Sequence, residues 1–190
     1  GHFGAALVRG FLHSGMAPHE ILLSPRGSEV EALVAEFGVA VAADSRDLVL
    51  RSDIVFLSVR PPQAGDAIRG LPWREGQLLV SVSAGVPIRE LSAASAGGPD
   101  VVRAMPMTSV AIGASPTVVF PEHTRAVALL KRLGSVIPLR EEGQFEIATA
   151  VAVAYTLCHD LVGRTAEWAA KAGLDQETAR LLSAAHFESA

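Results

Sequence analysis

Residues 76–117 read GQLLVSVSAGVPIRELSAASAGGPDVVRAMPMTSVAIGASPT, and two runs inside this stretch decide the fold. Residues 78–82 and 101–104 are predominantly apolar, β-type runs, the pattern of strands covered on both faces. Each stops in small or turn-forming residues, Ser83-Ala84-Gly85 after the first and Met105-Pro106-Met107-Thr108 after the second. In an open parallel sheet a ligand sits in the crevice at the carboxyl ends of the strands. Two strands that end there without bulk leave a floor on which a flat ring can lie. Two buried strands with ordinary turns would read the same way, so the rest of the chain has to decide.

Outward from this stretch, strand and helix signals alternate. Residues 4–14 carry Leu7, Val8, Phe11 and Leu12 at helical spacing, with Gly15 at the stop. Residues 20–24 read as a short strand ended by Pro25-Arg26-Gly27-Ser28, residues 29–37 as a helix stopped by Gly38, and residues 39–42 as a short strand. Asp44 or Ser45 can cap the helix that follows. Residues 53–59 are the clearest strand, broken by Arg60-Pro61-Pro62, and residues 63–69 are helical. Pro87 suits the first turn of a helix through Leu91. Residues 117–120 and 136–139 are strands, separated by a helix over 123–133 that Gly134 ends. This alternation with short loops predicts βαβ units and a doubly wound parallel α/β sheet over residues 1–140.

After Leu139 the strand signals vanish. Residues 145–172 read as one long helix ended by Gly173, and Asp175 caps another through about Phe187. The expected boundary is Arg140-Glu141-Glu142-Gly143, so residues 141–190 form a smaller all-helical domain. Both ends read as cut: residues 1–4 enter a helix with no strand before them, and residues 183–190 stop inside a helical pattern.

Composition narrows the class. The 190 residues are 49% hydrophobic and only 5% aromatic, which suits close packing of helices on a sheet. Sixteen basic against 20 acidic residues give a net charge of −4 with no basic patch, which argues against a nucleic-acid partner. The single cysteine, Cys158, excludes an internal disulfide framework and fits a reducing cytoplasm. No uninterrupted apolar run reaches roughly 18 residues, so no membrane span is expected, and no signal-peptide pattern is visible.

The amino end carries a cofactor signal. Gly1-His2-Phe3-Gly4 matches the second half of G-x-G-x-x-G, where a glycine lets the backbone approach a pyrophosphate and the helix N-terminus supplies N–H groups. A fortuitous Gly-x-x-Gly reads the same, because the first glycine and its strand are absent. The end of the next strand is more telling. A fold preferring NAD places Asp or Glu there for the ribose 2′-hydroxyl. Here Arg26, with the hydroxyls of Ser24 and Ser28, suits a 2′-phosphate, where a carboxylate would repel it. NADP is therefore favoured over NAD; the alternative is a surface turn with a solvated arginine.

Together these residues resemble the pyrroline-5-carboxylate reductase family, from Gly1 to about Leu174. The resemblance is carried in order by Gly1-His2-Phe3-Gly4, Ser24-Pro25-Arg26 and Phe56-Leu57-Ser58-Val59-Arg60-Pro61. Val80-Ser81-Val82-Ser83-Ala84-Gly85-Val86 and Val102-Arg103-Ala104-Met105-Pro106-Met107-Thr108 follow, then Gly113 and Thr117. It implies an NADP-binding Rossmann domain lacking its first strand here, and an incomplete helical domain used for dimerisation and substrate binding. It implies a cytoplasmic homodimer, or a higher homo-oligomer, in proline biosynthesis that reduces a cyclic imine carboxylate by hydride transfer. The phosphates would lie at Gly1, His2, Phe3 and Gly4, and the 2′-phosphate at Ser24, Arg26 and Ser28. Val59, Arg60 and Pro61 would flank the adenosine, while Ala84, Gly85, Met105, Met107 and Thr108 would bracket the nicotinamide. Met107 and Thr108 are the residues placed nearest the chemistry, and Thr108 can equally be a loop-capping hydroxyl. Hydride transfer to a protonated imine needs little acid–base machinery, because the cofactor carries the chemistry.

Three departures fall on the substrate half. The family motif reads Met-Pro-Asn-Thr-Pro, whereas Met107 puts a thioether where the amide stands. The family's Ser-Gly-Ser-Gly-Pro element before an Ala-Tyr pair is replaced by Thr149-Ala150-Val151-Ala152-Val153 before Ala154-Tyr155, which continues a helix and removes an anion site. The family's glycine- and threonine-rich substrate segment does not occur before Ala190. The expectation is a relative that keeps NADP and has altered or lost the original substrate, an imine carboxylate or a related small imine. The alternative is a non-catalytic NADP-binding sensor or assembly protein.

Other residues carry less. Cys158, His159 and Asp160 are consecutive and point in different directions on a helix, so they do not form a nucleophile pair. His159 would be the one acid–base candidate for a hydroxy-acid dehydrogenase. The six histidines show no metal-ligand spacing, so no metal is expected. Trp73 and Trp168 read as packing residues. Ile147, Val151, Ala154, Tyr155, Cys158, Leu161 and Val162 form an apolar stripe that suits a subunit interface or an intrachain core.

Overall fold

A chain whose short strands are apolar on both sides has to cover them with helices, and the computed structural model, which describes residues 1–188, does so. Strands β1 (Leu22–Leu23) and β2 (Ala40–Val41) form a two-stranded parallel sheet. Strands β3 (Ile54–Leu57), β4 (Leu78–Ser81), β5 (Asp100–Met105), β6 (Thr117–Phe120) and β7 (Val136–Pro138) form a second sheet in chain order. The helices are α1 (His2–His13), α2 (Val30–Phe37), α3 (Ser45–Arg51), α4 (Ala64–Ile68), α5 (Ile88–Ala94), α6 (Thr124–Leu130), α7 (Gln144–Lys171) and α8 (Gln176–Glu188).

The architecture is Rossmann-like, a mixed α/β fold with a mainly parallel sheet and helices at the carboxyl end. One pairing departs from a uniformly parallel sheet. β5 and β6 run antiparallel, with Ala104 opposite Val119. Only a short 3₁₀ turn, Thr108–Ile112, lies between them, and a parallel return needs a crossover of a dozen or more residues. The strand expected over residues 20–24 shrinks to β1, because Pro18–Glu20 forms a 3₁₀ turn first. Pro87 stands just outside α5 with extended ψ, and the helix runs on to Ala94 through good helix formers. The helix expected over 123–133 tightens into a 3₁₀ turn, Lys131–Leu133, before Gly134.

Period-two alternation on the central strands makes two cores. Leu78, Val80, Val102 and Ala104 face Leu7 and Phe11 of α1 and Leu130 of α6. Leu79 and Val101 face Ala64 and Ile68 of α4 and Leu91 of α5. Leu78, Leu79 and Val80 have no solvent exposure, so β4 is the centre of the molecule's first unit. Trp73 packs beside the second core and donates from Nε1 to Ile68 O at 3.1 Å.

Side-chain caps set the helix starts. The Asp44 carboxylate accepts from Asp47 N at 2.8 Å, and the Asp175 carboxylate accepts from Thr178 N at 2.9 Å. Asp47 in turn accepts from Ala43 N at 2.9 Å and Arg51 at 3.2 Å, and the Ala43 N–H chiefly holds its carboxyl below the ordinary value. A carboxyl depressed in the folded state contributes stability above its unfolded pKa and loses it as pH falls through the folded value. Urea denaturation at pH values from about 5 down to about 2 is therefore expected to show a steeper loss for the parent than for Asp47→Asn. Parallel curves would refute this.

The chain divides into two compact units, Gly1–Gln144 and a second beginning at Phe145. In the second, Ile147, Val151, Leu157 and Leu161 of α7 are all more than 60% exposed, and so is Trp168, against the packing role expected of it. The long helix also corrects the expectation on membrane spans. α7 is long and apolar enough, by length and composition, to cross a membrane. Counting uninterrupted apolar residues misses it, because isolated polar and charged residues such as His159 and Asp160 break the run. A single helix of that kind is weak evidence for a membrane.

Candidate functional site

Three parallel strands end toward the same edge. Leu57 pairs with Ser81, and Ser81 with Arg103, and β5 runs two residues further to Met105, so residues 58–61, 82–85 and 106–108 leave the sheet along one edge. Ser83, which is buried, joins two of these exits: its Oγ donates to Val59 O at 2.9 Å. Val59, Arg60 and Pro61 are thereby held beside Ala84 and Gly85, all but Val59 exposed.

The start of α1 lies at the same edge. A Cβ built on Gly4 would stand 3.6 Å from Ser58 Oγ, at the exit of β3. The loop after β1 closes on it from the other side, since a Cβ on Gly27 would be 3.3 Å from Gly1 N. His2 Nδ1 is 3.2 Å from a Glu29 carboxylate oxygen. Gly1, His2, Phe3 and Gly4 are thus gathered with the loop that carries Ser24, Arg26 and Ser28. Ser24 Oγ accepts from Arg26 N at 3.4 Å, and the Arg26 side chain is exposed.

Charge at this edge favours an anion. Gly1 is the N-cap of α1 and offers no side-chain acceptor, and the first turn holds no acidic residue. The N–H groups of that turn therefore present the positive end of a twelve-residue helix. Arg26 and Arg60 add exposed cations. These residues fit a dinucleotide with a 2′-phosphate: glycines where backbone must come close, N–H groups for a pyrophosphate, and a guanidinium with hydroxyls beside it.

Past β5 the chain bends at Pro106. Met107 N donates to Ser115 Oγ at 2.9 Å, and Ser115, fully buried, is 3.1 Å from Thr117 Oγ1. Thr108 opens the 3₁₀ turn and is exposed, while Val110 in the same turn is fully buried. That turn rests on α1 so closely that a Cβ on Gly10 would lie 2.1 Å from Val110 O. Helix α1 and the turn that Thr108 opens are therefore one packed assembly. Met105 and Met107 are half-buried beside this bend.

Sequence reasoning passed over Ser83, Ser115, Gly10 and Glu142, which hold these walls. The signals were faint: a serine closing the first apolar run, another just before Pro116, and a glycine in mid-helix where alanine is the better helix former. Glu142 Oε1 accepts from Arg103 Nη1 at 2.9 Å and from Ile88 N at 2.8 Å.

The likeness to known proteins agrees with this arrangement. Residues 1–85 match the family described as NADP oxidoreductase coenzyme F420-dependent. Pyrroline-5-carboxylate reductase 2 of Bacillus subtilis is 30% identical over 196 residues, covering 96% of this chain and 69% of that protein. The structure of a pyrroline-5-carboxylate reductase from Coxiella burnetii superposes with a TM-score of 0.80 at 26% identity, over 100% of this chain and 74% of that one. The Plasmodium falciparum pyrroline carboxylate reductase, solved with NADP bound, shares the fold at 18% identity with a TM-score of 0.83, over 100% of this chain and 73% of that one. Identity of 30% over nearly the whole chain, on the same fold, places this chain in the pyrroline-5-carboxylate reductase family.

Proposed function

We propose that this chain is an NADP-dependent oxidoreductase that reduces the C=N bond of a cyclic imine carboxylate or a related small imine. NADP is the cofactor: Gly1, His2, Phe3 and Gly4 would hold its phosphates and Ser24, Arg26 and Ser28 its 2′-phosphate. Val59, Arg60 and Pro61 would flank the adenosine. When bound, NADPH supplies the hydride, and the protein's part is orientation and a pocket. Ala84, Gly85, Met105, Met107 and Thr108 would form the walls beside the nicotinamide, with the Thr108 hydroxyl exposed on one of them.

One observation bears on the substrate. α7 continues unbroken through Thr149-Ala150-Val151-Ala152-Val153, and Thr149 Oγ1 donates to Phe145 O at 2.8 Å. Inside a continuous helix the N–H groups bond to carbonyls four residues back and cannot receive a carboxylate. We therefore place pyrroline-5-carboxylate and carboxylate-free imines on a similar footing as substrates. With the former the product is proline, and the chain would serve proline biosynthesis in the cytoplasm. The exposed apolar face of α7 would be the surface through which a homodimer or larger homo-oligomer forms.

The same two features, Met107 and the unbroken α7, also favour a second reading, a protein that binds NADP without catalysis. NADPH oxidation, followed by absorbance with pyrroline-5-carboxylate and with 1-pyrroline, separates the two, beside binding titrations of NADPH and NADH. The expected result is NADPH-specific turnover with a kcat/KM for the two imines within about tenfold. A hundredfold preference for the carboxylate would overturn the substrate reading. Tight NADPH binding without turnover would establish the second reading, and failure to bind either nucleotide would end both.

A further inference from the structure

We infer that Glu142 is a positioning residue that fixes both walls of the nicotinamide pocket, an inference that rests on the cofactor reading above. One oxygen, Glu142 Oε1, takes hydrogen bonds from two places that both lie far from it in the chain. Arg103 Nη1 reaches it at 2.9 Å across 39 positions of sequence, and Ile88 N at 2.8 Å across 54. Arg103 lies on β5, two residues before Met105, and its side chain is 8% exposed. Ile88 is the first residue of α5, three after Gly85. The two wall segments, Ala84-Gly85 and Met105-Pro106-Met107-Thr108, thus share a single carboxylate as their common fixed point.

A guanidinium with so little access to water gains most from a charged acceptor, and charge-assisted hydrogen bonds are the short, strong kind. The linkage is directional, because the carboxylate can satisfy both donors only if β5 and the start of α5 keep one spacing. Met105 and Gly85 leave those elements within one turn or two strand positions, so a shift at the carboxylate passes to both walls. The 2′-phosphate loop, residues 24–28, shares no hydrogen bond with this network among the described residues. The adenosine half of a dinucleotide should therefore not sense Glu142.

That asymmetry is the test. The full-length protein and its Glu142→Ala and Glu142→Gln variants are titrated with NADPH and with adenosine 2′,5′-bisphosphate, a fragment without nicotinamide. Glu142→Ala is expected to weaken NADPH about tenfold, the scale of one positioned charge-assisted contact, and to leave the fragment within about twofold. Glu142→Gln, which keeps an oxygen acceptor without the charge, is expected to weaken NADPH about threefold with the fragment again unchanged. Equal losses for both ligands mark a merely structural residue and overturn the inference, as does no loss for either. If Glu142→Ala does not fold, Glu142→Gln decides by the same comparison. A parent protein that binds neither ligand overturns the cofactor reading itself, which is a different outcome.

Discussion

Replacing Arg26 with glutamate is expected to lower the affinity for NADPH by about a hundredfold and to leave NADH within a few fold of the parent. The magnitude follows from the loss of a charge-assisted hydrogen bond to phosphate, about 1.5–3 kcal/mol, with repulsion added in its place. About 2.8 kcal/mol corresponds to a hundredfold in binding. Arg26 is exposed, its loop follows a two-residue strand, and the residue takes no part in either core, so the variant should fold normally. Fluorescence titration with both nucleotides reads the result. Equal loss for NADH would assign Arg26 a general role in the loop instead, and unchanged NADPH affinity would leave it as a solvated surface arginine.

Gly10→Ala is expected to destabilise the protein by about 2 kcal/mol and to weaken NADPH binding with it, although alanine is the better helix former. Two effects oppose one another here. Alanine in a helix interior gains about 1 kcal/mol over glycine. Against that, the new Cβ would stand 2.1 Å from Val110 O and 2.9 Å from Leu133 Cδ2. The first of these neighbours is backbone, so a rotamer change cannot relieve it. Either α1 or the Thr108–Ile112 turn must move; overpacking costs about 1–3 kcal/mol, and a backbone oxygen at 2.1 Å puts this site at the upper end, so that about 3 less about 1 leaves about 2 kcal/mol. Since one partner carries the glycines proposed to face the phosphates and the other carries Thr108, binding should fall with stability. Urea unfolding beside an NADPH titration tests this, and a variant more stable than its parent would show that propensity wins.

Local signals carried much of the architecture. The strand expected over residues 117–120 is observed at Thr117–Phe120, Gly38 ends α2 with φ 68°, and Asp44 and Asp175 cap the helices that follow them. Each depends on neighbours within four positions, which a sequence displays directly. The reversal at β6 was not legible, because a short apolar run reads the same for a strand running either way. The span-like character of α7 escaped because a polar residue breaks a run without abolishing its mean character.

At the candidate site the chain shows the residues that would touch a ligand more readily than those that hold them. Gly1-His2-Phe3-Gly4 and Ser24-Pro25-Arg26 are contiguous and can be matched as strings. Ser83 reaches Val59 across 24 positions, and Glu142 reaches Arg103 across 39. No periodicity links such pairs, so only the folded register brings them together.

The loop that carries Arg26 hangs from β1, a strand of two residues paired only with another of two, and neither belongs to the five-stranded sheet. Leu23 of β1 is anchored in a cluster with Ala5, Leu33 and Val39, but the loop beyond it is exposed at Arg26 and Ser28, and loops tolerate exchange where cores do not. If residues 24–28 read the 2′-phosphate as proposed, the choice between the two nicotinamide nucleotides can be altered there with β4 and its two apolar faces left untouched.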